Sequence, residues 1–402
     1  MRQFIIGFFV SLLTAGIVAC ASKQQNFTTK YPIPFDSAIN VLSNDLFNTV
    51  ESQQSTLAKL VKTNIVIDPF IDEASGNIVQ ASRDIEQALL QKALGRKHNY
   101  TITSMTSQNI READYVMNGV IYSEPYRVPG LDDAVTYYRL ASSVVDLDSG
   151  KIVANTHAWI SDLSLEYQPT PLYADSPLFI KDKRVESLIE TARSSVGEDA
   201  SIEYLNTIET SALLAEAQLA YDRGDYQQAL TLFTQASEKA DAQILKTYVG
   251  LYETYRQLGQ MKEAKKALYN LLVVSINLNQ KINLKLLFSV DSTDFIDDQL
   301  LRDEYHLWLE QIVRYFRHNE QCMYIVGHSS NTGTIEYNHN LSLLRAQQIQ
   351  VILGEYFPAI LQRSQAMGKG FSENISGLGT DDARDAIDRR VEFRIVDCKT
   401  VQ

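Results

Sequence analysis

Cysteine is scarce in this chain: its 402 residues include three, Cys20, Cys322 and Cys398. That excludes a disulfide-dense scaffold and a cysteine-rich zinc centre. His318, His328 and His339 stand at no zinc spacing and have no companion cysteines, so neither a metal site nor a cofactor is expected. Basic charge is also short, 37 Lys and Arg against 49 Asp and Glu, a net charge of -12. This leaves no footprint for nucleic acid and disfavours docking on an anionic lipid surface. The patterns G-x-S-x-G, H-E-x-x-H and the P-loop are missing. Gly368, Gly370, Gly377 and Gly379 do not form G-x-G-x-x-G, and Asp381 with Asp382 reads as a solvated loop rather than the acid and base of a glycosidase. An enzyme is not expected.

No apolar run at the start is long enough to span a bilayer, which takes about 20 residues. The run from Phe4 to Ala19 is shorter, follows a single charge at Arg2, and reads as an export signal. Its end, Ile17-Val18-Ala19-Cys20, resembles the bacterial lipobox, which implies that Cys20 becomes the acylated first residue of the mature protein. Ala21 and Ser22 follow, with no Asp at the second mature position, which resembles lipoproteins sorted to the outer membrane. The expected location is therefore the outer membrane, lipid-anchored through Cys20 and facing the periplasm. Acyl chains anchor through burial of about 0.8 kcal/mol per methylene.

Hydrophobic residues make up 45% and charged residues 21%, an ordinary globular balance, and the length allows two to four domains. A polar tether with Pro32 and Pro34 gives way near Asp36 to a helix with Ile39, Leu42, Leu46 and Val50 on one face. Strands are expected over 64–70, 113–122, 135–146 and 151–160, the last two joined by a hairpin at Asp148-Ser149-Gly150. A helix is expected over 82–94, so helices precede an antiparallel sheet. Tyr137, Tyr138 and Trp159 stand either on a partner surface or in sheet packing. Residues 161–182, with three prolines and no periodicity, read as a long strap that Tyr167 and Tyr173 pin down. A helix follows over 183–196 and stops at Gly197. The phrases ADYVMNGVIYSE and SSVVDLDSGKIVANTHAWI resemble the periplasmic α/β domain of FlgO-type flagellar lipoproteins, penicillin-binding-protein activators and curli secretion subunits. That resemblance implies architecture and envelope partners, without a mapped site.

Between Ser211 and Ile276 the pairs Gly224 and Gly259, then Ala229 and Ala264, are 35 residues apart. This is close to the tetratricopeptide period of 34, and the helical pairs resemble two such repeats. Two are fewer than these arrays need, so they should lean on a neighbour. They read either as a partner groove or as a spacer.

The richest stretch is Gly327 to Ala346, GHSSNTGTIEYNHNLSLLRA. The apolar run from Cys322 to Val326 before it reads as a buried strand. After it, Leu341, Leu344, Ile349, Ile352 and Leu353 recur at helical spacing, with Asn338 or Asn340 as the cap and Arg345 in the second turn. Gly327, His328, Gly333, Asn338, Leu341, Ser342, Arg345 and Ala346 fall in register with G-H-T/A-D-x-x-G and N-x-x-L-S-x-x-R-A, so the stretch resembles the OmpA-like peptidoglycan-binding module. Gly368 and Gly370, and Asp388-Arg389-Arg390-Val391-Glu392, resemble its later landmarks, and the likeness spans about residues 282 to 398.

The resemblance implies that the helix Arg and an Asp of the turn hold the zwitterionic end of diaminopimelate in the stem peptide, the guanidinium gripping a carboxylate bidentately. Arg345 is kept, but Ser330 stands where the Asp belongs. A hydroxyl carries no charge, so the ligand's amine is held weakly unless Asp291 or Glu336 reaches in. The candidate wall-binding residues are Asp291, Ser330, Asn338, Arg345 and Arg389. His328 reads as a satisfied core histidine. Cys322 opens one strand and Cys398 closes the last, so they form either a disulfide or two separate buried thiols.

The expected architecture is an α/β multidomain chain. It runs from a signal peptide over 1–19 and a lipidated tether over 20–35 into an N-terminal α/β sheet domain over 36–200. A short α-helical, tetratricopeptide-like segment follows over 201–280, then a C-terminal OmpA-like α/β sandwich over 281–402. The expected function is noncovalent attachment to the peptidoglycan stem peptide, linking outer-membrane lipid and envelope proteins to the wall. The rival is an assembly or regulatory factor of an envelope machine with a weakened wall site.

Overall fold

The computed structural model describes residues 29–53, 62–94, 100–127, 134–239, 241, 243–289, 292–375 and 385–401. Cys20, Asp291, Asp381 and Asp382 lie outside them. The first unit comprises helix α1 (Phe35–Gln53), strands β1 (Thr63–Ile67) and β2 (Ile71–Asp72), helix α2 (Gln80–Leu94), and strands β3 (Tyr100–Ser104), β4 (Tyr115–Tyr126), β5 (Val135–Asp146) and β6 (Ile152–Ile160). Period-two alternation sorts its side chains between two cores. Ile65, Met117, Leu140 and Val144 face Leu42, Leu46 and Phe47 of α1, whereas Val66, Val116, Ala141 and Val145 face the opposite way.

The sheet order is β3-β1-β4-β5-β6, with β2 also on β4. Only the β4, β5 and β6 pairings are antiparallel; β1, β2 and β3 lie parallel to their neighbours, so the expected antiparallel sheet is a mixed one. The cause is the helical crossover through α2, since parallel neighbours need a long connection. The hairpin after β5 is closed by the Asp146 carboxylate, which accepts from the backbone N–H of Asp148 and Ser149. Tyr138 stacks on Tyr167 at 5.0 Å and Trp159 packs edge-on against Tyr126 at 5.3 Å, so these aromatics are engaged in packing.

The strap contains a short helix α3 (Pro171–Asp175) and leads into α4 (Lys183–Arg193) and α5 (Ile202–Asn206). Tyr167 donates to Asp72 Oδ1 at 2.8 Å, and Tyr173 is buried. Four helices follow: α6 (Ile208–Asp222), α7 (Tyr226–Ser237), α8 (Leu245–Gln257) and α9 (Met261–Asn279). The turn after α6 repeats after α8. Asp225 N–H donates to Ala220 O and Gln260 N–H to Tyr255 O, each at 2.9 Å, around Gly224 and Gly259 at φ +81° and +69°. A left-handed residue at a helix end is what glycine supplies without steric cost. Most side chains of α6 are buried, including Gln218 at its centre, so the helical unit is wedged between the other two.

The last unit has β7 (Lys281–Leu284), α10 (Gln299–His318), β8 (Cys322–Gly327), α11 (Ile335–Tyr356), β9 (Ser364–Gly368) and β10 (Val391–Val396), in the sheet order β7-β10-β8-β9. It is not separate from the first. The strap pairs with the free edge of β7: Phe179 N–H donates to Asn283 O and Lys285 N–H to Pro177 O. Trp308 of α10 donates to the Tyr252 hydroxyl of α8 at 2.9 Å. One apolar core therefore runs from Val66 through Phe233 and Tyr252 to Ile325 and Phe393.

Cys322 and Cys398 are joined, with Cα atoms 4.8 Å apart, because β8 and β10 are antiparallel neighbours. The bond closes a sequence separation of 76 residues. Constraining an unfolded loop of this order typically stabilises by about 2–4 kcal/mol. Reducing the protein, or Cys398→Ser, should lower its thermal midpoint by several degrees, read by circular dichroism with and without reductant.

Candidate ligand-binding site

β8 is buried except at the partly exposed Tyr324, and it ends where Gly327 presses on α11. The turn beyond it is tied twice at its start. His328 N–H donates to Arg390 O at 3.0 Å, and Ser329 N–H to Gly370 O at 2.9 Å. Gly333, at φ +88°, lets the chain double back toward the helix. The helix begins at Ile335, earlier than Asn338 or Asn340 as caps would allow. Thr334 sits in extended conformation and its hydroxyl accepts from Tyr337 N–H at 3.3 Å, which makes it the cap. Glu336 in the first turn suits the helix dipole, so the earlier start is favoured, and Arg345 lies three turns in rather than two.

Asn338 instead locks the turn from below, donating to Thr332 O at 2.5 Å and Thr334 O at 3.1 Å. Ser342 does the same one turn on: its hydroxyl donates to His339 O and accepts from Gly370 N–H, both at 2.9 Å. Asn338, Ser342 and Arg345 share one buried face of α11, as residues four and three apart must. Arg345 Nε donates to Ser292 O at 3.0 Å and Nη2 to Ser289 O at 3.2 Å, and its guanidinium lies 4.9 Å from the Phe288 ring. These contacts fix the plane of the fork against Phe288, Ser289 and Ser292, and leave Arg345 only 7% exposed. Ser330 is also buried, with its hydroxyl 3.3 Å from that of Thr332.

Glu336 is exposed on the first turn of α11. Arg389 is not grouped with these residues; it lines a cleft of about 890 Å³ between the three units, together with Tyr122, Tyr167, Leu300 and Trp308. The neighbouring Arg390 is the buried one, its Nε and Nη2 both donating to Glu392 Oε1. His328 lies 3.7 Å from that carboxylate, yet burial, helped by Arg390, pushes its imidazole down to about 3, so it is neutral. Neither ring nitrogen has a hydrogen-bond partner among the described residues, so there this histidine is buried without the satisfied contacts expected of it. Among the described residues no His, Cys, Asp or Glu cluster suits a metal ion, and no helix is long and apolar enough to cross a membrane.

Two residues had no role assigned from sequence: Ser342, which joins helix to β9 loop, and Gly370, whose O accepts from Ser329 N–H and whose N–H donates to the Ser342 hydroxyl. The signal for Ser342 is its place, four residues after Asn338 and three before Arg345, on the same face of α11.

No family model and no curated protein matches the chain. Among solved structures it is similar to the peptidoglycan-associated lipoprotein from Burkholderia pseudomallei, at 26% identity over 28% of this chain and 88% of that one, with a TM-score of 0.24. It is also similar to the cell wall anchor of the T6SS from Pseudomonas aeruginosa, at 26% identity over 29% and 80% of the two chains and a TM-score of 0.24. An outer membrane protein from Borrelia burgdorferi B31 is 21% identical over 29% and 88%, with a TM-score of 0.22.

Proposed function

We propose that this chain is an outer-membrane lipoprotein, acylated at Cys20, whose residues 281–402 grip a diaminopimelate-type peptidoglycan stem peptide without covalent chemistry. The observation that carries this reading is the placing of Asn338, Ser342 and Arg345 on one face of α11 directly behind the turn 328–333. Arg345 supplies the bidentate grip on a carboxylate, and Asn338 and Ser342 hold the turn so that Ser330 faces the ligand's amine. Lipid at one end and wall at the other raise each other's effective concentration. The first unit meets envelope proteins, and the wedged helical unit, tetratricopeptide-like in its period, acts as a spacer between the two.

A second reading has a specific observation behind it. Ser330 carries no charge, and Arg345 is tied to its own loop, which suits an assembly factor whose wall site has weakened. Sedimentation with insoluble diaminopimelate-type sacculi separates the two. The chain from Ala21 onward is the right material, because the strap completes the edge of β7 and an isolated C-terminal unit would expose it. Ser330→Asp should tighten retention by roughly tenfold, the difference between a neutral and a charge-assisted hydrogen bond. If neither the wild type nor this variant is retained, the wall-anchor reading fails and the assembly factor stands.

A further inference from the structure

The described structure begins along the outer edge of β6, the last strand of the first sheet. Ile33 N–H donates to Trp159 O at 3.3 Å, Ser161 N–H to Ile33 O at 2.8 Å, and Trp159 N–H to the Thr29 hydroxyl at 2.8 Å. From β4, the Tyr126 hydroxyl donates to Lys30 O at 3.1 Å. Thr29 is thus pinned to one end of the sheet, and its surroundings there are aromatic. Tyr126 lies edge-on to Trp159 at 5.3 Å and to Tyr137 at 6.2 Å, and the Arg139 guanidinium is 5.1 Å from the Trp159 ring. Two apolar side chains at this end face outward: Tyr31 is 63% exposed, and Leu163, two residues beyond the Ser161 bond, is 54% exposed.

Lys30 and Arg127 are exposed beside them and make no ion pair with the described residues. The acids of this end are engaged: Glu124 pairs with Arg139 at 2.8 Å, Asp162 accepts from Phe35 N–H, and Asp36 lies in the first turn of α1. Thr29 stands nine residues after Cys20. A chain reaches at most about 3.3–3.6 Å per residue, so an acylated Cys20 holds this end within roughly 30 Å of its bilayer whatever path the tether takes. Tyr and Trp suit a membrane–water boundary, because one part of each ring is apolar and the other wants water, and Lys and Arg beside them meet lipid phosphates.

Resting on the lipid anchor proposed above, we infer that this end of the first sheet docks on the phospholipid surface that holds the acyl chains of Cys20. Tyr31 and Leu163 enter the headgroup layer, and Lys30 and Arg127 pair with its phosphates. The chain's net charge of -12 does not prevent this. Salt screens charges further off than about 8 Å at physiological ionic strength, so the residues at the contact decide. Docking seats the first unit at the membrane, where the tether alone would only keep it near.

The test is flotation of the non-acylated chain from Ala21 onward with vesicles of phosphatidylethanolamine and phosphatidylglycerol, which removes the anchor and leaves the surface to act alone. The wild type should float with the vesicles. Arg127→Gln should lower its partition coefficient about fivefold, the effect of one basic residue near an anionic surface. Tyr31→Ser combined with Leu163→Ser should also lower it, whereas Leu300→Ser, at a leucine 77% exposed beside the cleft between the units, should float as the wild type does. All four positions are exposed, so circular dichroism should show the same fold throughout. A wild type that stays unbound, or a loss in Leu300→Ser as large as in the Tyr31→Ser, Leu163→Ser protein, would overturn the inference. The mass of the N-terminal peptide from cells reports acylation of Cys20 separately, so a failed anchor and a failed docking surface give different results.

Discussion

Arg345→Ala should abolish retention of the protein on diaminopimelate-type sacculi. Truncating one partner of a buried, hydrogen-bonded charge pair costs about 2–5 kcal/mol, a weakening of roughly thirtyfold to several thousandfold. The effect should fall on dissociation, because the guanidinium fork contributes fixed geometry as well as charge. Arg345→Lys separates the two contributions: it keeps the charge, loses the fork, and should retain only part of the binding. The same side chain also donates to Ser289 O and Ser292 O and covers the Phe288 ring, so the alanine variant gives up about 1 kcal/mol of folding stability per hydrogen bond. Thermal unfolding beside sedimentation tells the two losses apart. A folded Arg345→Ala protein that still pellets with sacculi would falsify the role given to this residue.

The strand, turn and helix of the candidate site were legible in the sequence because their information is local. A strand, a glycine-punctuated turn and a helix carrying Asn338, Ser342 and Arg345 sit within one stretch, and their order along the chain is their order in space. What local reading missed there was the competition between caps: Thr334 precedes Asn338 and can cap first, which shifts the helix start without disturbing the face. The first sheet shows the opposite case. β3, YTITS, is half-buried throughout, so it lacks a clean apolar alternation, and its parallel pairing to β1 is decided by a crossover that no short window contains. The expected boundary near 280 falls between the end of α9 at Asn279 and the start of β7 at Lys281, but the interlocking across it has no local signal. Phe179 meets Asn283 across 104 residues of sequence, and the strap has no periodicity to announce an added strand.

Gly327→Ala should cost at least about 3 kcal/mol and uncouple the turn from the helix even in the molecules that stay folded. A Cβ at Gly327 would stand 2.1 Å from Ser342 O and 2.9 Å from Ser342 C, both backbone atoms of α11, so no side-chain rotation relieves the clash. Overpacking of a tight core typically costs about 1–3 kcal/mol, and a rigid backbone obstacle belongs at the upper end or above it. Gly368 is the residue paired with Gly327 across β8 and β9, and its Cβ would meet His339 O at 2.5 Å. Two glycines in register thus form the floor on which residues 339–343 rest, and the close approach is what lets the Ser342 hydroxyl reach Gly370 N–H. Lifting α11 by the width of a methyl group would move Asn338 and Arg345 away from the turn together. Gly224→Ala is the control: that glycine is at φ +81° with nothing within 4 Å of its Cβ position, so it should lose only about 1 kcal/mol and leave wall binding unchanged. Urea unfolding measures the stability of both variants and sedimentation measures their binding. If Gly327→Ala shifted the unfolding midpoint no more than Gly224→Ala does, the strand end and α11 would have to be further apart than their shared contact with Gly370 requires.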